Sequence, residues 1–577
     1  MTHTRITLVD ALRQNARELG NENGILYYDA PDSSQYRGFA DLDLRARTIA
    51  DSLAKRGYTP GQTVTIGLTS GLDWADAAWG VLYAGLALVP APVAGYGTGA
   101  ALGERVAAIA RSAEASVFLT DKAVVARLGD AASDPALPAL LLEDLIAEGD
   151  PETWTPPAID GDSLAYLLFT SGSTGDPKGV IATHGTVLGT ANAAAQLWGT
   201  DPTATLVGWS PMHHIMGLML QVIIPGVSGA KAVVTSTEQF QRRPITWLQL
   251  ISKHKGTSTA AGNFAFALVT QLVTDEQLAE LDLSSLQVMF SGSEPVRPET
   301  VRAFLDRFAP AGVREDMIAP VMGMTEANLI SGKFPGEAMV MRNFDAAGIE
   351  AGRLIPAEGE GSVSWVSCGR PQENTTVVIV DPDTFMPVPD GTVGEIWVAS
   401  PMVSPGYFRR PDATAETFGR SLPGSDKSFM RTGDLAAFLD GELYVTGRLK
   451  EMIIVRGRNL YPQDLEAASR QVSPAVGISA AFELQGHPSV VGIVLEYNEE
   501  ALAESGDTLD ELAASVRETL IKRSSLPSLA VAFVKESTLP RTPTGKVRRT
   551  PTRTQIEQGE LPAVLSVGFA ALEAEAR

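Results

Sequence analysis

Cysteine is almost absent from this chain: Cys368 stands alone among 577 residues. One thiol excludes an intrachain disulfide and any zinc site built from several cysteines. Basic charge is scarce as well. Lys and Arg number 46 against 68 Asp and Glu, giving a formal net charge of −22 and a pI near 4.8, whereas a nucleic-acid binder presents a broad basic footprint. No apolar run reaches the length needed to cross a bilayer, and the best candidate, "AAWGVLYAGLALVPAPV", breaks at Pro90 and Pro92. The opening "MTHTRITLVDALRQNARELG" lacks the basic start and apolar core of a secretory signal. Internal repeats and low-complexity segments are missing too. A cytoplasmic enzyme, with no nucleic-acid partner and no membrane insertion, is therefore the expectation.

What is present reads as α/β. The chain is too long for one ordinary core, and its 44% hydrophobic and 20% charged residues are those of a globular protein. Short β-type runs at 63–68, 116–120, 165–170, 231–235 and 375–380 alternate with helical patterns such as 41–57, where Gly57 stops the helix. Strands alternating with helices predict mixed, largely parallel sheets. From about residue 370 the pattern turns β-rich, and after "GRLKE" (447–451) a new apolar strand, "MIIV", begins at Met452. The expected division is a large domain over 1–449 and a small C-terminal α+β domain over 450–577.

The segment "LLFTSGSTGDPKGV" (167–180) runs from a buried strand straight into hydroxyls and glycines that end at Lys178. Glycines let backbone N–H groups turn inward and approach a ligand, and hydroxyls add donors, an arrangement suited to polyphosphate oxygens. Read alone it could equally be a surface turn. It is not a Walker loop, because Asp176 and Pro177 separate Gly175 from Lys178.

"TSGSTGDPKG" resembles the phosphate loop of the adenylate-forming enzymes, and four further segments follow in that family's order. The resemblance implies ATP contacts from Thr170, Ser171, Gly172, Ser173, Thr174, Gly175 and Lys178. In "MGMTEAN" (322–328) it makes Glu326 the magnesium ligand and Thr325 a contact of the α-phosphate, with Met322 and Gly323 beside the nucleotide. Apart from these five, the branch-like "SGSEPV" adds Ser293, Glu294 and Pro295. "RTGDLA" offers Asp434, whose carboxylate can accept two hydrogen bonds from a ribose diol. The stretch 445–466 is similar to the family's hinge, with Arg448 near ribose or phosphate and Lys450 at the pivot. "RTPTGKVRR" resembles the C-terminal catalytic loop, making Lys546 the mobile cation. Each segment alone is bland; five in order are not.

The implied chemistry is attack of a carboxylate on the α-phosphate of ATP with loss of pyrophosphate, helped by cations and N–H donors placed where charge develops. No G-x-S-x-G elbow competes with this reading. In "WSPMHHIMGL", His214 matches a family histidine of the acyl pocket, though a histidine on an apolar segment is more often a core residue. His213, Met216, Gly217, Gly262, Asn263 and Phe264 complete the expected pocket.

Among the branches, the chain is most similar to the fatty acyl-AMP ligases. The signs are "GNFAFALV", "SGSEPV", "GRNLYPQDLE" and an insertion over 331–365 that most acyl-CoA synthetases lack. That insertion is thought to restrain the small domain and disfavour CoA; the alternative is a tolerated surface loop. Two positions depart from the branch: Met322 replaces an adenine-stacking Tyr, and Ile215 replaces the Asp of His-Asp-Met-Gly. The leading expectation is acyl-AMP formation and transfer to the phosphopantetheine thiol of an acyl carrier protein in secondary-metabolite or lipid biosynthesis. An acyl-CoA ligase and ATP-dependent nitrite activation for N–N bond formation are the alternatives.

Overall fold

The computed structural model describes residues 7–93, 99–128, 138–170, 178–455, 458–484, 490–524, 526–542 and 546–569. The apolar runs read from the sequence fold as strands Thr63–Gly67, Val117–Thr120, Leu164–Thr170, Lys231–Thr235 and Thr376–Val380. The expected helix spans Phe39–Lys55, and Gly57 lies just beyond its end with φ of +89°.

Two sheets organise the large N-terminal domain. In the nine-stranded sheet, Gly24–Ala30, Lys231–Thr235, Thr205–Gly208, Ser258–Ala261, Val288–Ser291 and Ile318–Met324 lie side by side in parallel. Antiparallel strands close both of its edges. The six-stranded sheet is parallel from Ala139–Leu141 to Leu164–Thr170 and ends in the antiparallel strand Lys178–Thr183. Parallel strands are covered on both faces, which is why they read as unbroken apolar runs. One core joins Val64, Ile66 and Tyr166 of the smaller sheet to Ile25, Leu206 and Phe290 of the larger. Helix Leu72–Tyr83 belongs to that core, with Trp74 and Trp79 fully buried.

A four-stranded antiparallel meander follows over 376–448. The smaller C-terminal domain carries the sheet Val476–Glu483, Val491–Tyr497, Leu529–Lys535 and Leu565–Val567. Helices Pro462–Arg470 and Leu509–Ser524 pack on one of its faces and Arg549–Glu557 on the other. The 331–365 segment is ordered structure. Strand Met341–Asp345 pairs with Ser362–Val366, and the short helix Ala346–Glu350 lies between them. Its Phe344, Ile349 and Leu354 share a core with Leu435, Tyr444 and Tyr461, against which Leu449 and Met452 also pack. No helix among the described residues is long and apolar enough to cross a membrane.

Candidate active site

Four neighbouring parallel strands deliver their C-terminal ends to one place. Thr205–Gly208 leads to His213 and His214, Ser258–Ala261 to Gly262–Phe264, Val288–Ser291 to Ser293–Pro295, and Ile318–Met324 to Thr325 and Glu326. The carboxyl edge of a parallel sheet is where α/β folds bind ligands, because the loops there are free of the hydrogen-bond ladder.

Met322 and Gly323 close the strand Ile318–Met324, and a turn carries half-buried Thr325 and buried Glu326. A Cβ on Gly323 would lie 2.4 Å from the Asn328 carbonyl oxygen, so the hairpin admits only glycine there. Tyr407 donates its hydroxyl proton to Glu326 Oε1 at 3.0 Å. Burial pushes the Glu326 carboxyl above its ordinary value, an effect its hydrogen bonds oppose. The Lys178 ammonium stands 5.0 Å from the centre of the Tyr407 ring, over its face. Tyr407 is thus the bridge between the lysine of the loop and Glu326. Thr170 ends its strand opposite Lys178 in the register. Ser171, Gly172, Ser173, Thr174 and Gly175 lie outside the described residues.

Asp434 and Arg448 face each other on adjacent strands, with Arg448 Nε donating to Asp434 Oδ1 at 2.8 Å. Burial pushes the Asp434 carboxyl up and the guanidinium draws it back. Lys450 is exposed in the turn between Glu442–Arg448 and Ile453–Val455.

Lys546 crosses from the C-terminal segment to this edge. Its ammonium donates to the carbonyl oxygen of Ser293, a residue held at φ of +67°. The side chain keeps solvent contact, yet the surrounding protein still lowers its pKa, with Glu294 opposing the shift, Arg448 adding to it and Asp434 opposing it. Arg297 tightens the same junction, donating from Nη2 to the Gln463 carbonyl at 2.8 Å.

The expected pocket residues divide into two groups. His214 caps the short helix Ile215–Leu218, its Nδ1 accepting the Met216 N–H at 3.3 Å. Burial pushes its imidazole down to about 3, with Lys546 and His213 adding to the effect. His213 is pushed down to about 4 by burial and by Arg105, and its buried Nε2 has no hydrogen-bond partner among the described residues. Both histidines are therefore neutral at pH 7. Phe264 is 45% exposed and sits edge-on to Trp209 at 5.9 Å, an aromatic wall beside the site. The remaining residues make contacts within the fold. A Cβ on Gly217 would lie 2.1 Å from the Pro211 carbonyl oxygen. Met216 Sδ accepts from Ser210 Oγ at 3.3 Å. The Asn263 amide is committed, accepting the Arg297 N–H at 2.9 Å and donating to Thr300 Oγ1 at 3.2 Å.

Tyr407, Arg297 and Trp209 are the residues that sequence reasoning missed. "SPGYF" contains the only local signal for Tyr407, a Gly before an aromatic; its partner Glu326 lies 81 residues earlier. No group of three or more His, Cys, Asp or Glu among the described residues could cage a metal. Glu326 offers one buried carboxylate, which suits magnesium carried in largely by nucleotide phosphates.

Comparison with known proteins follows the same outline. The AMP-binding enzyme family matches residues 12–408. The medium-chain-fatty-acid–[acyl-carrier-protein] ligase JamA of Moorena producens is 36% identical over 537 residues, covering 91% of this chain and 90% of that protein. The long-chain-fatty-acid–AMP ligase FadD26 of Mycobacterium marinum is 34% identical over 575 residues, covering 95% and 97%. A fatty acyl-adenylate ligase structure from work on the E. coli and L. pneumophila enzymes superposes with a TM-score of 0.87 at 26% identity, covering 96% of this chain and 98% of that one. The L. pneumophila ligase in complex with acyl adenylate and pyrophosphate superposes at 0.75 with 30% identity, covering 98% of both chains.

Proposed function

The chain belongs to the AMP-binding enzyme family, and from that premise we propose that it joins a fatty acid of medium or long chain to AMP, releases pyrophosphate, and passes the acyl group to the phosphopantetheine thiol of an acyl carrier protein. The observation that carries this reading is the hydrogen bond from Lys546 to the Ser293 carbonyl, which brings the C-terminal segment to the strand ends that also bear Glu294, Glu326 and Phe264, with Asp434 and Arg448 near enough to act on the lysine by charge. The relatives named for fatty-acid and carrier-protein substrates supply the substrate class.

In this mechanism the acyl chain lies along Phe264 and Trp209, with its carboxylate toward His214. Neutral His214 can donate a hydrogen bond from Nε2 without neutralising the nucleophile. Thr325 and Lys178 orient the phosphates, with the loop 170–175 supplying further donors. Lys546 balances the negative charge that grows as pyrophosphate departs, and such placed charge is usually the largest catalytic contribution. Asp434 accepts from the ribose hydroxyls, and Arg448 holds that carboxylate in place. Met322 packs against the adenine by its thioether. Glu326 would hold Mg²⁺, which supplies neutralisation of phosphate charge when bound.

The small domain begins at Lys450 and swings about it to exchange Lys546 for the incoming thiol. The 331–365 segment opposes that swing through its shared core with Tyr461, Leu449 and Met452. Free CoA gains too little differential binding to overcome it, whereas a carrier protein brings a larger surface. The test is ATP turnover against a panel of fatty acids, with nitrite included and AMP and pyrophosphate measured separately. Pyrophosphate and AMP released with a fatty acid support the proposal. ADP as product, or turnover with nitrite alone, contradicts it.

A further inference from the structure

Three segments converge on the Glu294 carboxylate. Its Oε1 accepts the Phe264 N–H at 2.7 Å, at the start of helix Asn263–Leu272. Gly262 has no side chain where the carboxylate passes: a Cβ there would stand 2.6 Å from that oxygen. Lys546 and Arg470 of the C-terminal domain and Arg297, just before helix Pro298–Phe308, act on it by charge. The adjoining Ser293, with its left-handed backbone, turns its carbonyl to the same Lys546 ammonium. Residues 293 and 294 therefore offer the lysine a carbonyl and a negative charge, while the same carboxylate caps the helix that presents Phe264.

We propose that Glu294 is a positioning residue for Lys546, coupling the helix that walls the acyl pocket to the reach of the lysine. The inference rests on the acyl-adenylate reading of the site. An opposite charge in a partly dehydrated setting attracts far more strongly than in water, so the carboxylate selects the arrangement in which Lys546 is delivered. Displacement of Phe264 by an acyl chain reaches the lysine through one hydrogen bond and the attraction between the carboxylate and the ammonium.

The charged groups that face Lys546 are Glu294, Asp434 and Arg448, and His214 lies close enough to feel its charge. Burial lowers the lysine's pKa and Glu294 is first among the groups that restore it. Removing that carboxylate lowers the pKa further, so the alkaline limb of an activity that needs the ammonium moves to lower pH.

The test uses Glu294→Gln, which keeps an acceptor for the Phe264 N–H and loses only the charge. Acid-dependent pyrophosphate release is followed against pH. In parallel, Lys546 is titrated directly by ¹³C NMR of reductively methylated enzyme, its resonance assigned by its loss in Lys546→Ala. The expected result is adenylation slowed roughly tenfold or more, the scale of misplacing a reacting group, with both titrations displaced to lower pH. Gly262→Ala, which crowds Oε1 without altering any charge, gives a displacement in the same direction and serves if the first variant does not fold. An unmoved Lys546 titration overturns the inference whatever the substrate. A displaced titration with no turnover on any carboxylic acid upholds it and overturns the acyl-adenylate reading instead.

Discussion

Arg458 Nη1 lies 2.9 Å from Glu350 Oε2, joining the strand Arg458–Leu460 to the short helix of the 331–365 segment. Arg458 also donates from Nη2 to the Ser524 carbonyl at 3.0 Å, so the pair reaches the end of helix Leu509–Ser524. The ion pair thus ties the inserted segment to the C-terminal domain beside the apolar contact of Phe344 and Ile349 with Tyr461.

Glu350→Ala removes that tie and leaves the apolar contact. With both side chains more than a quarter exposed, the pair contributes on the order of 1 kcal/mol at most. Acyl-CoA formation from free CoA should rise severalfold while acyl-AMP formation is unchanged, as read by thioester yield. An unchanged or lower yield would count against the restraint.

Lys546→Ala should slow adenylation by roughly a hundredfold or more, the scale of removing a group that stabilises transition-state charge. Nucleotide affinity should change little, because Asp434, Lys178 and Glu326 lie on the other domain. Single-turnover kinetics beside equilibrium ATP binding separate the two effects. Wild-type adenylation in this variant would remove the lysine from the mechanism.

Glu326→Gln should raise the Mg²⁺ concentration needed for half-maximal rate, since an amide is a weaker ligand for a hard cation. Tyr407→Phe should move the titration less and in the same direction, by freeing the carboxylate that its hydroxyl orients. Superimposable Mg²⁺ titrations for all three enzymes would contradict the assignment of Glu326.

His184 supplies a pH prediction remote from the chemistry. It is fully buried, its Nδ1 accepts the Leu8 N–H at 3.2 Å, and burial pushes its imidazole down to about 4, with Asp10 and Asp160 opposing. A folded-state pKa below the unfolded value of about 6.5 means that the unfolded chain takes up the proton first. The residue's contribution to stability is complete above that value and lost progressively as pH falls toward 4. At pH 5 the loss is about 2 kcal/mol. His184→Gln keeps an acceptor without titrating, so its Tm should fall less between pH 7 and pH 5 than that of the wild type. Equal falls would contradict the buried neutral state.

Much of the proposed site was legible because its residues travel with local signals. Parallel strands buried on both faces are continuous Val, Ile and Leu runs, and the motif residues Glu294, Glu326 and Arg448 sit at or beside strand ends. Tyr407 was not legible, because its meaning depends on pairing with Lys178 and Glu326 far away in sequence. The Glu350–Arg458 tie spans 108 residues and carries no local pattern. Nor was it legible that Asn263, placed in the pocket by resemblance, spends its amide on Arg297 and Thr300. Sequence spacing reports where a residue stands along the chain. Which way its side chain is spent is decided by tertiary neighbours.

The central claim, activation of a fatty acid for a carrier protein, is tested most directly by the products of the unmodified enzyme. Wild-type protein is incubated with ATP, Mg²⁺ and a medium- or long-chain fatty acid, with either free CoA or a holo acyl carrier protein, and the acyl species are identified by mass spectrometry. The account predicts that acyl-AMP and pyrophosphate accumulate in the presence of CoA and that thioester forms efficiently only on the carrier. Rapid formation of acyl-CoA would contradict the acceptor assignment, and failure to form acyl-AMP from any fatty acid would contradict the account as a whole.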